Sequence, residues 1–111
     1  MGRWTPPNNP TKPARQIWAA LFPGHPWPAR WRVEWAGFMR GASGLCIYRE
    51  RRILLSYGDF KRPRPGKRGP VETLIHEFVH VRCRGLRHGA EFRRIENSLR
   101  ARMGLERKEG P

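Results

Sequence analysis

The sequence predicts a small α+β domain in which an N-terminal helix precedes a three-stranded antiparallel sheet and two further helices. Three observations carry this. The chain has 111 residues, room for one core of ordinary size. Apolar residues recur at helical spacing in three stretches. Between the first and second of these, short apolar or alternating runs bounded by turn residues read as strands.

Residues 1–13 carry four of the eleven prolines and no apolar period, which predicts an extended arm. Ala14 to Phe22 then places Ile17, Trp18, Leu21 and Phe22 on one helical stripe that Pro23-Gly24 terminates. Trp31 to Trp35 alternates apolar and polar residues with period two, the pattern of a half-buried strand. Gly41 to Gly44 is turn chemistry. Leu45 to Tyr48 and Ile53 to Ser56 are the second and third strands, joined through the charged residues Arg49 to Arg52 as a hairpin. Lys61 to Gly69 is a basic loop without apolar anchors. Pro70 suits a first helical turn, and Val71, Leu74, Ile75, Phe78 and Val81 recur at helical spacing until Gly85. The last helix starts near Gly89 or Ala90 with Phe92, Ile95, Leu99 and Met103 on its stripe. The expected domain spans residues 14–104, followed by a tail at 105–111.

Lys and Arg number 23 against 9 Asp and Glu, a formal charge of +14, which excludes collagen-like and acidic classes. No apolar run approaches the roughly 20 residues that span a bilayer. The first residues lack the apolar core and cleavage site of a secretory signal, so a cytoplasmic location is expected. Cys46 and Cys83 are then free thiols. Arginine dominates the basic residues, and guanidinium groups bind phosphates in pairs and stack on bases, which favours a nucleic-acid partner. Trp18, Trp31 and Trp35 fall at core-facing positions, leaving Trp4 and Trp27 as possible stacking residues. His25, alone in a Pro/Gly loop, reads as a solvated side chain.

The helix from Pro70 contains His76-Glu-Phe-Val-His80, an H-E-x-x-H motif. Histidines four positions apart lie about 40° apart around a helix, so both reach one metal ion, while Glu77 sits beside them as a general base. Imidazole donors favour zinc, and catalytic zinc takes three protein ligands with a fourth position left for water. His88 is the leading third donor, because the chain turns after Gly85 and can fold back over the metal. Glu91 is its rival. Cys83, one turn beyond His80, could also approach and would close a purely structural site with His76, His80 and His88.

His76 to His80 followed by His88-Gly-Ala-Glu-Phe92, after Gly44-Leu-Cys-Ile-Tyr48 and Arg52-Ile-Leu-Leu-Ser56, resembles the SprT-like metalloprotease domain, the Spartan-related family. The resemblance covers roughly residues 14 to 103. It implies a zincin-like fold and a zinc endopeptidase that binds DNA and digests proteins crosslinked to it. It also implies Zn2+ ligands at His76, His80 and His88 and catalytic Glu77. A monomer associated with DNA-bound protein substrates is the expected working form.

The residues allow a zinc-activated water to attack a peptide carbonyl, with Glu77 moving the proton. Tyr48, Tyr57, Arg84 and Arg87 are all available to stabilise the oxyanion, and Ile53 to Ser56 is the leading strand edge for an extended substrate. Two other functions fit the motif. One is a regulatory zinc protease resembling the ImmA/IrrE group, and the other is a nucleic-acid-binding protein with a structural zinc.

Overall fold

A computed structural model describes residues 9–37, 39, 43–57 and 69–105. Most of the expected arm, including Trp4, the basic loop over 61–68 and the tail beyond 105 lie outside these residues. The described chain is α+β, with three helices and a three-stranded sheet.

Helix α1 runs Thr11–Leu21, three residues earlier than the periodicity suggests. Pro13 falls in its first turn, where a backbone N–H would have no intrahelical acceptor, so proline is tolerated there. Asn9 Oδ1 accepts from the Thr11 N–H at 3.0 Å. The Thr11 hydroxyl donates to the Val33 carbonyl at 3.0 Å and accepts from the Val33 N–H at 2.9 Å, which ties the helix start to the sheet.

Strands β1 (Arg32–Ala36), β2 (Gly44–Ile47) and β3 (Arg52–Ser56) are ordered β1-β3-β2. β2 and β3 form the expected antiparallel hairpin, with Cys46 opposite Ile53. β1 and β3, however, run parallel with Val33 opposite Ile53, so the sheet is mixed rather than antiparallel. Alternation reveals strands but not which strands are neighbours. β3 is the most deeply buried strand, with Ile53, Leu55 and Ser56 all buried, and it takes the centre where both edges are paired. That placement also corrects the expected substrate edge. Ile53 to Ser56 is hydrogen-bonded on both sides, and β2 is the edge strand on the side of helix α2.

Helix α2 (Pro70–Arg82) packs across β2 and β3 and against helix α3 (Ala90–Arg102). Leu74, Ile75, Phe78 and Val79 form its buried stripe, while Val71 lies at the exposed helix start. Phe78 is enclosed by Trp18 and Trp27, with ring centroids at 5.1 and 5.9 Å. Trp27 is therefore part of the aromatic packing and its indole N–H donates to the Trp31 carbonyl at 3.0 Å, which corrects its reading as a stacking residue. Two arginines fasten α3 to its neighbours. Arg100 pairs with Glu72 of α2 at 3.0 Å, and Arg102 donates to the Leu21 carbonyl at the end of α1 at 2.8 Å.

Candidate metal centre

His76 and His80 occupy successive turns of α2 and face the chain segment that returns from Gly85 into α3. His88, two residues before α3, closes the group. Its Nε2 lies 3.2 Å from His76 Nε2 and 2.9 Å from His80 Nε2, and one donor atom from each of the three lies within 4.8 Å of the others. Three imidazole nitrogens at about 2.0–2.1 Å from a tetrahedral ion stand about 3.3 Å apart, so the spacing fits a metal. Hydrogen bonding does not account for it equally well. One imidazole nitrogen carries one proton or one lone pair, so His88 Nε2 cannot satisfy both neighbours at once.

The rings are held from behind. Phe92 of α3, 2% exposed, has its ring centroid 4.7 to 4.9 Å from those of His76, His80 and His88. Glu96, one turn further along α3 and 1% exposed, places Oε2 2.9 Å from His76 Nδ1. A carboxylate only accepts, so His76 Nδ1 carries the proton and its Nε2 presents a lone pair to the centre. Such a carboxylate behind a ligating histidine fixes the ring and strengthens it as a donor. Burial also keeps His80 neutral. Burial, followed by the neighbouring His76 and His88, pushes its pKa down to about 4.

Glu77 is 5% exposed and lies between α2 and β2. Gly44 makes this approach possible. A Cβ there would meet the Thr73 methyl and come within 3.0 Å of Glu77 Oε2. Cys46, also on β2, is a free thiol whose pKa burial and then the Glu77 charge push up to about 12, so it stays protonated and inert. Tyr48 of the hairpin donates its hydroxyl to the His80 carbonyl at 2.9 Å, satisfying an acceptor left open near the helix C-terminus.

The other sequence candidates separate from the cluster. Glu91 is exposed and paired with Arg94, and Cys83 caps α2 and packs on the core, so neither belongs to the donor group. Tyr57 packs edge-on to Trp35. Arg84 lies 4.8 Å above the Tyr48 ring, and Arg87 remains exposed beside His88. His25 is exposed with Arg82 Nη2 at 3.3 Å. A cavity of about 660 Å3 lies against α1, lined by Lys12, Arg15, Trp18, His25 and Trp27 among others, and none of the three histidines borders it.

Glu96 and the ring-supporting role of Phe92 were not read from the sequence. The signal for Glu96 was present: an acidic residue four positions after Phe92 and three before Leu99 sits within the apolar stripe of α3. A buried carboxylate needs a partner, and His76 supplies it. Comparison with known proteins finds no matching family model, no matching curated protein and no matching solved structure. No helix of the described residues is long and apolar enough to cross a membrane.

Proposed function

We propose that the chain is a zinc-dependent endopeptidase of SprT-like type that acts on proteins held on DNA. The convergence of His76, His80 and His88 with Glu77 next to His76 on the same helix carries this reading. Three imidazoles suit zinc and leave a fourth position open. When bound, zinc supplies Lewis-acid polarisation of a carbonyl and lowers the pKa of a water.

The protein's own groups do the rest. Glu96 holds His76 in the tautomer that offers Nε2 to the metal. Glu77 accepts the proton of the attacking water and delivers it to the leaving amine. The outer edge of β2, unpaired among the described residues and with Leu45 47% exposed, offers an extended peptide a strand to pair with and an apolar contact. The +14 charge favours substrates carried on a polyanion.

The test is cleavage of a DNA-crosslinked protein and of the same protein free, with and without single-stranded DNA, by wild type and by Glu77→Gln. Wild type loaded with zinc cuts the crosslinked substrate. Glu77→Gln loses about 10²- to 10⁴-fold in rate while keeping its zinc. Absence of chelator-sensitive cleavage in every condition overturns the protease reading. Cleavage indifferent to DNA overturns the DNA-directed part alone.

A further inference from the structure

We propose that Arg30, Arg49, Arg51 and Arg84 form a phosphodiester-binding rim beside the metal centre, along which a single-stranded nucleic acid lies. The proposal rests on the nucleic-acid half of the function above and gives it a location. Tyr48 is the hub of the rim. Its hydroxyl bonds to the His80 carbonyl at 2.9 Å, the Arg84 guanidinium sits 4.8 Å from its ring centroid, and Trp31 meets the ring edge-on at 6.2 Å. The Arg51 N–H donates to the Tyr48 carbonyl and the Arg32 N–H to the Arg51 carbonyl, both at 3.1 Å. The turn carrying Arg30, the hairpin tip carrying Arg49 and Arg51, and the turn after α2 carrying Arg84 therefore meet around one residue. That residue touches the backbone of His80, one of the three donors.

Backbone conformation sets Arg30 and Arg51 apart, and grouping around Tyr48 separates all four from Arg15, Arg82 and Arg87, which are likewise exposed and without an ion pair among the described residues. Arg32 and Arg52 pair with Glu34, Arg94 with Glu91 and Arg100 with Glu72. Among the described residues, Arg30, Arg49, Arg51 and Arg84 make no ion pair, and all four are exposed. Arg30 (φ 66°) and Arg51 (φ 52°) adopt the left-handed conformation, and they are the non-glycine residues of the described chain that do so. At Gly24, Gly85 and Gly104 the same requirement is met by glycine. Left-handed φ is unfavourable for a long L side chain. A face kept only for solubility has no reason to place arginine at both such turns. Guanidinium groups that project from fixed turns without carboxylate partners suit phosphate oxygens, which they bind bidentately. Tyr48, half-buried at the centre of this group, offers the exposed part of its ring as an apolar surface for an unpaired base.

The experiment measures fluorescence anisotropy of a labelled oligothymidine titrated with the full chain across a salt series. Asparagine accepts left-handed φ, so Arg30→Asn/Arg51→Asn removes two charges without backbone cost. This variant is expected to melt at or above the wild-type temperature. It should also bind more weakly and lower the slope of log affinity against log salt by about 1.4, two contacts at about 0.7 each. Arg49→Gln/Arg84→Gln should lower it equally. Lys12→Gln/Arg15→Gln on α1 removes the same charge and should leave the slope near wild type. Rim variants with the wild-type slope, or an equal loss from the α1 pair, overturn the rim. Wild type that does not bind the oligonucleotide overturns the nucleic-acid reading itself, and tighter binding to polyaspartate overturns the ligand class.

Discussion

The two flanks of α2 bury side chains for opposite reasons. Toward α1, Phe78 packs edge-on to Trp18 and Trp27 at centroid distances of 5.1 and 5.9 Å. Toward α3, His76 and His80 pack on Phe92, with the carboxylate of Glu96 behind them. Apolar burial is non-directional, so the first flank works for any arrangement that fills the space. Buried polar groups are costly unless partnered, so the second flank works only where each nitrogen and oxygen meets its counterpart. One helix thus carries an apolar flank that sets stability and a polar flank that gathers the candidate metal donors. They should fail differently.

The largest effect belongs to the apolar flank. Phe78→Ala leaves a cavity among Trp18, Phe22 and Trp27 and should destabilise the zinc-loaded protein by about 3–5 kcal/mol in urea unfolding. The folded fraction should still bind one metal per chain. A fall in zinc affinity as large as the fall in stability would show that the flanks are one unit, breaking the comparison.

A smaller, directional effect belongs to the other flank. Glu96→Gln keeps nearly the same volume but replaces the carboxylate at His76 Nδ1, and zinc affinity should drop about 10- to 100-fold in competition with a chromophoric chelator. Comparison of the metal-free melting curves sharpens the point. If Glu96 mainly packs α3, the variant will melt far below wild type even without metal and its zinc affinity will barely move.

The apolar flank was largely legible in the sequence, because helical periodicity over Ala14 to Phe22 and Val71 to Val81 places Trp18, Leu74, Ile75 and Phe78 inward without knowledge of any partner. The donors were legible too, since H-E-x-x-H fixes His76 and His80 by local helix geometry. What lies between elements was less so. Parallel pairing of β1 with β3 depends on which strand is most deeply buried, and alternation within one strand does not contain that. His88 and Glu91 compete as third donor on composition alone. Glu91 falls away because its carboxylate stays outside the group of converging donors and pairs with Arg94, three residues on. The left-handed turns at Arg30 and Arg51 carry no glycine or asparagine to announce them.

The smallest effect tests whether the polar flank pays for its geometry in the absence of metal. His80 titrates near 4 in the fold because it is buried beside His76 and His88, whereas an unfolded histidine titrates near about 6.5. Between those values the unfolded chain binds more protons than the folded one, so the stability of the metal-free protein rises with pH through this window and levels off above it. Acidifying from about pH 7 toward 4 should lower its melting temperature progressively, and His80→Gln should flatten that dependence. Zinc displaces protons from the same nitrogens, so the loaded protein should hold its melting temperature until acid competes the metal away, then lose it steeply. A metal-free profile identical in wild type and His80→Gln would mean that the histidine flank is already relaxed without its ion. The contrast with the apolar flank would then exist only in the loaded protein.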